Sequence, residues 1–197
     1  MPNLVLMLAK SKTFALCFIL CLTIPLRAQA ERIHFIRAGL TSSLKDQSIS
    51  LITNSNRMEG TFNAFHLTLD TYGIYEQKTI YPGVKFSAMH NAVIYSDSFA
   101  DNQIKYVVYA GGGGVVGYVK DYAPTIRNHG GILGVAMNVG MIFAFPGTNF
   151  ELGLNGVAEL ALQLRKMEEK NGELGLSWYA NGILRTLIPQ ICIYYRF

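Results

Sequence analysis

Three glycines in the spacing Gly112-x-Gly114-x-x-Gly117 form the pattern in this chain that most directly suggests chemistry. Glycines at this spacing bring backbone amides close to the phosphates of a dinucleotide, provided that a helix follows and an acidic residue lies about twenty positions further on. The next residues, Tyr118 and Val119, are strand-forming, and no acidic residue lies near position 137. We therefore interpret the glycines as residues that let a strand bend or its neighbours pack closely, and we expect no cofactor.

Histidines are the next candidates, because an imidazole can act as a general base or as a metal ligand. The chain has four, His34, His66, His90 and His129. Nucleophilic catalysis requires a hydroxyl, a base and an orienting acid within hydrogen-bond reach. His66 shares a strand face with Asp70, but four residues along a strand separate the two by about 13 Å. No group of acids and histidines has the spacing of a metal site, so we expect neither a catalytic group nor a metal.

The segment 150–166 alternates most clearly between apolar and polar residues, with the two-residue period of an extended strand. A strand with leucines on one face and Glu, Asn, Gln and Arg on the other separates two solvents. In a transmembrane barrel, these solvents are the lipid and a polar interior. The apolar face comprises Phe150, Leu152, Leu154, Leu160, Leu162 and Leu164.

Charged residues recur on the polar faces of several predicted strands. An eight-stranded barrel is just wide enough for its interior to be filled by side chains, and charges there must be paired or hydrated. We predict a salt-bridge network that fills the lumen, and a narrow polar path through the lumen is the alternative. The network comprises Lys85, Lys105, Asp121, Glu151, Glu159, Arg165 and Arg196, with His66 and Asp70 on the same side of their strand.

Turn-forming and polar breaks, among them the tight turn at 146–149, divide the chain into eight predicted strands. Their ranges are 33–42, 49–57, 61–76, 83–96, 103–122, 131–145, 150–166 and 187–197. The alternation in the first two is poor. We predict an all-β fold, an eight-stranded antiparallel transmembrane β-barrel with up-and-down connections.

Residues 1–30 have the composition of a secretory signal peptide. Lys10 and Lys12 provide a positive region, residues 13–26 are apolar, and Ala28-Gln29-Ala30 matches a cleavage site. We expect one barrel domain at 31–197, exported to the outer membrane. The chain has 17 basic and 13 acidic residues, and 1–30 contains three of the basic ones and no acid. The mature net charge is therefore about +1, with no basic stripe for nucleic acid.

The apolar residues of the final strand, Ile191, Ile193, Tyr195 and Phe197, all lie on one face. In water, an apolar strand of this kind invites aggregation, whereas lipid would cover its apolar face. The signal peptide, the amphipathic strands and the ending Tyr195-Arg196-Phe197 together resemble small Gram-negative outer-membrane barrels of the OmpX, OmpA and OmpW type. The resemblance covers the whole mature chain. It implies that the barrel-assembly machinery reads Ile191, Ile193, Tyr195 and Phe197 as an assembly signal.

The segment 167–186 is long for a connection and mixes charged and apolar residues. Loops of this length often carry function, and aromatic residues anchor many interfaces. We predict Trp178 and Tyr179 as external-loop contacts. The alternatives are a rim helix, or strands extended beyond the membrane.

The resemblance does not select a function, because barrels of this kind serve in adhesion, surface protection, solute passage and lipid modification. We expect a non-enzymatic surface, structural or adhesion-type role through the external loops, in contact with outer-membrane lipid. A narrow pore or transporter for small or apolar solutes is one alternative, and a lipid-modifying enzyme is another. Barrel lipid-A deacylases carry a His-x-Ser pair near the C-terminus, and this chain has no such pair.

Overall fold

The computed structural model describes residues 36–44, 46–54, 60–71, 83–99, 104–123, 126–166, 173–179, 182 and 188–197 of the 197-residue chain. Within strands, the side chains at 120–123, 126–128 and 166 also lie outside the description. The predicted signal peptide at 1–30 lies outside the described residues. Within the described ranges, no helix has the length and apolar character needed to span a membrane.

Nine strands account for nearly all of the described chain. They are β1 Arg37–Ser42, β2 Asp46–Asn54, β3 Thr61–Asp70, β4 Gly83–Phe99, β5 Ile104–Ala123, β6 Ile126–Ala144, β7 Phe150–Lys166, β8 Leu174–Trp178 and β9 Gln190–Arg196. The bounds predicted for 150–166 are confirmed, because alternation there is regular from end to end. By contrast, β6 begins five residues earlier than the predicted 131, since its polar start pairs with the end of β5 through backbone hydrogen bonds that do not depend on side-chain polarity.

The strands form an antiparallel meander that closes into a ring. Each of β1 to β7 pairs with the next strand along the chain, and β9 pairs with both β7 and β1. The predicted all-β, up-and-down antiparallel ring is therefore confirmed. Closure satisfies backbone groups that an open sheet would expose at its two edges.

The registers determine the tilt of the strands. A path that steps from each residue to its cross-strand partner leaves β7 at Gly153, crosses the other strands, and returns to β7 at Gln163. The stagger is thus about ten residues, and eight strand positions with this stagger correspond to a tilt of about 40°. Barrels of eight positions enclose an interior just wide enough for side chains.

The eighth position of the ring is divided between two strands, which corrects the predicted count of eight strands. β8 pairs with Leu162–Lys166 at one end of β7, and β9 pairs with Phe150–Asn155 at the other. The two run in the same direction, and eleven residues, 179–189, connect them across a stretch of β7 only six residues long, 156–161. The backbone amide of Tyr179 continues the ladder by donating to the Ala161 carbonyl at 2.9 Å.

The predicted glycine motif lies within a regular strand, which confirms the structural interpretation over a nucleotide loop. Gly112, Gly114 and Gly117 belong to β5, between β4 and β6. At Gly117 of the motif, a Cβ atom would collide with the Val84 carbonyl oxygen of β4, and at the neighbouring Gly113 with that of Ala88, whereas at Gly114 the nearest atom would be 3.9 Å away. Only some of these glycines are therefore required for close approach of the backbones.

Candidate functional site

The barrel wall is apolar over much of its outer face, whereas its inner face carries polar and charged side chains beside two buried apolar clusters. Along β7, the odd positions from Glu151 to Gln163 point inward and are buried, while the leucines at the even positions point outward and are exposed. The same alternation holds along β2, β3 and the first part of β4. Buried polar groups include Arg37, Thr41, Asp46, Ser50, His66, Asp70, Lys85, Asn91, Glu151, Glu159 and Gln163. Exposed apolar groups include Leu40, Ile49, Leu67, Val139, Leu152, Leu154, Ile191 and Ile193.

One cluster of charges lies at the end of the barrel that carries the chain terminus. Arg37 Nε is 2.6 Å from Glu151 Oε2, and Arg196 Nη1 is 3.7 Å from Glu151 Oε1. The guanidinium of Arg196 also donates to the Thr148 carbonyl at 3.3 Å, in the turn between β6 and β7. Two cations therefore flank one buried carboxylate at this mouth of the lumen.

An apolar layer lies beside this charge cluster. Ile52 is the cross-strand partner of Arg37, and Tyr194 is the partner of Glu151. Both belong to a buried cluster in which the Phe62 and Tyr109 rings meet edge to face, with centroids 5.1 Å apart. These aromatic rings therefore pack inside the barrel next to the charges at this mouth.

Hydroxyl groups and an imidazole form the next layer. Thr41 Oγ1 is 2.9 Å from Ser50 Oγ, and Ser50 Oγ is 2.7 Å from His66 Nδ1. Thr41 also donates to the Cys192 sulfur at 3.5 Å. All four side chains are buried, so this chain of contacts is closed to molecules outside the barrel.

A buried ion pair spans the lumen beyond the hydroxyl layer. Lys85 Nζ of β4 donates to both carboxylate oxygens of Glu159 on β7, at 2.6 and 2.7 Å. The ammonium lies 5.8 Å from the centroid of the Tyr179 ring, and the Tyr179 hydroxyl donates to Asp70 at 2.9 Å. Both charges of the pair are thus compensated in a site where the Lys85 side chain is only 1% exposed.

Four of the seven predicted network residues lie in two separate charge clusters, and a fifth, Lys105, lies near the end of its strand. Lys85 pairs with Glu159, and Arg196 lies with Glu151 beside Arg37, which the prediction omitted. Lys105 is on the inward-facing side of β5 but is exposed, because it lies near the strand end. It is therefore not part of the buried network.

Arg165 and Asp121 complete the predicted network set. Arg165 is half-buried, and its Nε has no hydrogen-bond partner in the described part of the chain. Asp121 belongs to β5, but its side chain lies outside the described residues.

The two predicted external-loop contacts point in opposite directions. Trp178 ends β8 and is 66% exposed on the outer face. Tyr179 is 1% exposed and faces the lumen, so its assignment as an external contact is wrong. The reason is the two-residue strand period: consecutive side chains fall on opposite faces, and the Asp70 carboxylate provides an interior partner for the phenol.

The predicted assembly-signal residues Ile191, Ile193, Tyr195 and Phe197 all have exposed side chains on the outer face at β9. The Tyr195 ring lies 5.3 Å from Phe150 and 5.1 Å from Phe197, which makes a small aromatic group at one rim. Their role in assembly stays a prediction.

The Ser50–His66 contact was not identified from the sequence. The two residues are cross-strand partners on β2 and β3, 16 positions apart. A serine beside a base is the first element of a nucleophilic site, but Ser50 is 0% exposed. The sequence shows polar residues at alternate positions of β2 and β3. Which of these side chains contact each other depends on the register between the two strands.

The described side chains contain no group of three or more His, Cys, Asp or Glu residues arranged to hold a metal ion. The fold defines this chain as an antiparallel β-barrel that closes into a ring, with buried polar and apolar side chains on its inner face. No protein-family model matches the sequence, and neither a curated protein nor a solved structure matches it.

Proposed function

We propose that this chain is an exported outer-membrane β-barrel of the small OmpX, OmpA and OmpW type, with a closed lumen and a non-enzymatic role at the cell surface. The observation that carries the proposal is the apolar outer face of the wall around a partly charged interior. Buried ions lie inside, and aliphatic side chains such as Val139 and Ile193, which are 57% and 52% exposed, cover the outside.

Elementary energetics favour lipid over water around such a wall. Each Å² of apolar surface kept in water costs about 25 cal/mol relative to burial. Soluble monomers rarely expose continuous apolar patches above a few hundred Å². Exposed apolar residues on adjacent strands, such as Leu154 of β7 and Ile191 of β9, are direct cross-strand partners here. A bilayer would cover this surface, and the aromatic residues at one rim would lie at its interface.

A closed lumen favours a structural or surface role over conduction. The Arg37–Glu151 contact and the aromatic layer around Phe62 lie together toward one mouth, and the Lys85–Glu159 pair lies further along the barrel. An ion passing through would have to separate buried charges at two levels and displace the packed rings at the first, which is costly. Contacts with partners would then be made at the rim, where Trp178 is exposed.

Catalysis at the Ser50–His66 contact is disfavoured by access. Ser50 is 0% exposed, and Thr41 and His66 hold its oxygen on either side. A substrate carbonyl could not approach within bonding distance unless the wall opened. The contact is better explained as packing of polar groups inside the barrel.

Two measurements test the proposal. In detergent, the mature chain should give a β-rich circular dichroism spectrum and a folded form that migrates differently before and after heating. Reconstituted in a planar bilayer, it should show no conductance steps. A water-soluble protein without heat-dependent migration would refute membrane insertion, whereas stepwise conductance would leave insertion standing and favour the pore.

A further inference from the structure

A small polar cavity lies inside the barrel, between the hydroxyl layer and the Lys85–Glu159 pair. The volume open to the centre of a water molecule is about 10 Å³, which corresponds to a single water. Its lining includes the His66 imidazole, the Ser87 hydroxyl and the Glu159 carboxylate. Glu159 of the ion pair borders the cavity on one side, and His66 of the hydroxyl layer borders it on the other.

One nitrogen of the His66 ring has no partner among the residues that the structure describes. Its Nδ1 atom contacts Ser50, while Nε2 is buried and accepts or donates no hydrogen bond within the described ranges. The side chain is more than nine-tenths buried and lines the cavity. A buried polar atom left unpaired costs about 1–3 kcal/mol, so a ligand that satisfies Nε2 would stabilise the folded barrel.

The hydrogen-bond chain determines what kind of ligand Nε2 requires. Thr41 uses its single hydroxyl proton on the Cys192 sulfur, so Ser50 must donate in the Thr41–Ser50 contact. The Ser50 proton is then used, and the Ser50–His66 contact must be donated by Nδ1–H. Since burying an imidazolium is costly, the ring is neutral and Nε2 carries a lone pair.

We propose that this cavity binds one ordered water molecule, which donates a hydrogen bond to Nε2 of His66. The second hydrogen of the water is directed to an acceptor in the lining, which includes the Glu159 carboxylate. The Ser87 hydroxyl can donate to the water oxygen. These three partners are within the two to four that a buried water needs.

The proposal requires the Nδ1–H tautomer of His66. It also requires a water whose residence time exceeds that of surface hydration, because three protein groups hold it. Imidazole ¹⁵N shifts distinguish the two neutral tautomers. The sign of the cross-relaxation between water and the His66 ring protons distinguishes a trapped water from bulk solvent. Neither property depends on whether lipid or detergent surrounds the barrel, so both can fail while the proposed membrane location stands.

Two variants test the same hydrogen-bond logic. In Thr41→Val, Ser50 loses its acceptor and donates to Nδ1 instead, so His66 should switch to the Nε2–H tautomer. In Ser87→Thr, the added methyl group enters the cavity, so the water signal should be lost. Ser42→Val and Ala88→Thr are matched controls at neighbouring outward positions, and they should change neither signal.

The experiment is ¹⁵N and water-exchange NMR of the folded, full mature barrel in micelles. The expected result is an Nδ1–H His66 in contact with a slowly exchanging water. An Nε2–H tautomer, a charged ring, or absence of the water contact in the unsubstituted protein would each overturn the proposal. Because these three outcomes are measured on the unsubstituted protein, they test the proposal even where a variant fails to fold.

Discussion

The Lys85–Glu159 pair provides the sharpest prediction about what holds the barrel together. Replacing Lys85 with Met removes the ammonium and leaves the Glu159 carboxylate, whose side chain is only 7% exposed, without two hydrogen bonds. Removing one partner of a buried ion pair costs about 3–5 kcal/mol, because the remaining charge stays desolvated. Loss of the cation–π contact with Tyr179 contributes about 1 kcal/mol within that range.

The assay is urea unfolding of the reconstituted barrel, followed through the fluorescence of Trp178, the only tryptophan. Lys85→Met should lower the free energy of unfolding by about 3–5 kcal/mol. The matched control is Lys105→Met, which removes an exposed ammonium and should cost less than about 1 kcal/mol.

A double-substituted chain separates the pair from its surroundings. Lys85→Met combined with Glu159→Gln removes both charges, so the loss should fall short of the sum of the single losses by about 1–3 kcal/mol. If Lys85→Met costs less than about 1 kcal/mol, or if the single losses simply add, the two charges are not coupled and the reasoning about this layer is refuted.

Three further predictions concern other levels of the barrel. Gly113→Ala should prevent normal pairing of β5 with β4, while Gly114→Ala, whose Cβ has its nearest atom at 3.9 Å, should leave the heat-dependent migration unchanged; equal behaviour would contradict the close approach. Tyr179→Phe removes the hydrogen bond to Asp70 and should lower the free energy of unfolding in urea by about 1.5–3 kcal/mol, and no loss would mean that the phenol is not held inside. Val139→Arg should destabilise the reconstituted barrel by about 2–4 kcal/mol if that outer position faces lipid, and a neutral effect would indicate water.

The sequence was most informative where one strand face differs strongly from the other. The alternation from Phe150 to Lys166 predicted β7 with its bounds and with Glu151 and Glu159 inward. The same signal failed at the start of β6, because backbone pairing continues through polar residues. For β8, a strand of only five residues between regions of mixed composition, it offered an extended strand only as an alternative to a loop.

Contacts across the lumen could not be predicted, because they depend on register. Strand parity placed Lys85 and Glu159 inside, but 74 residues separate them along the chain. Their meeting depends on the stagger of about ten residues, which is a property of the closed sheet. Lys105 shows the reverse case, since its parity is inward but its position near the strand end leaves it exposed.

The central claim is that lipid surrounds the apolar outer face, and spin-label accessibility in vesicles tests it most directly. Nitroxides at Leu152, Leu154 and Ile191, in a Cys192→Ala background, should collide often with oxygen and rarely with a water-soluble nickel complex. A label at Thr148, exposed in the turn between β6 and β7, serves as the aqueous control. Nickel accessibility at the three outer positions equal to that at Thr148 would contradict the account.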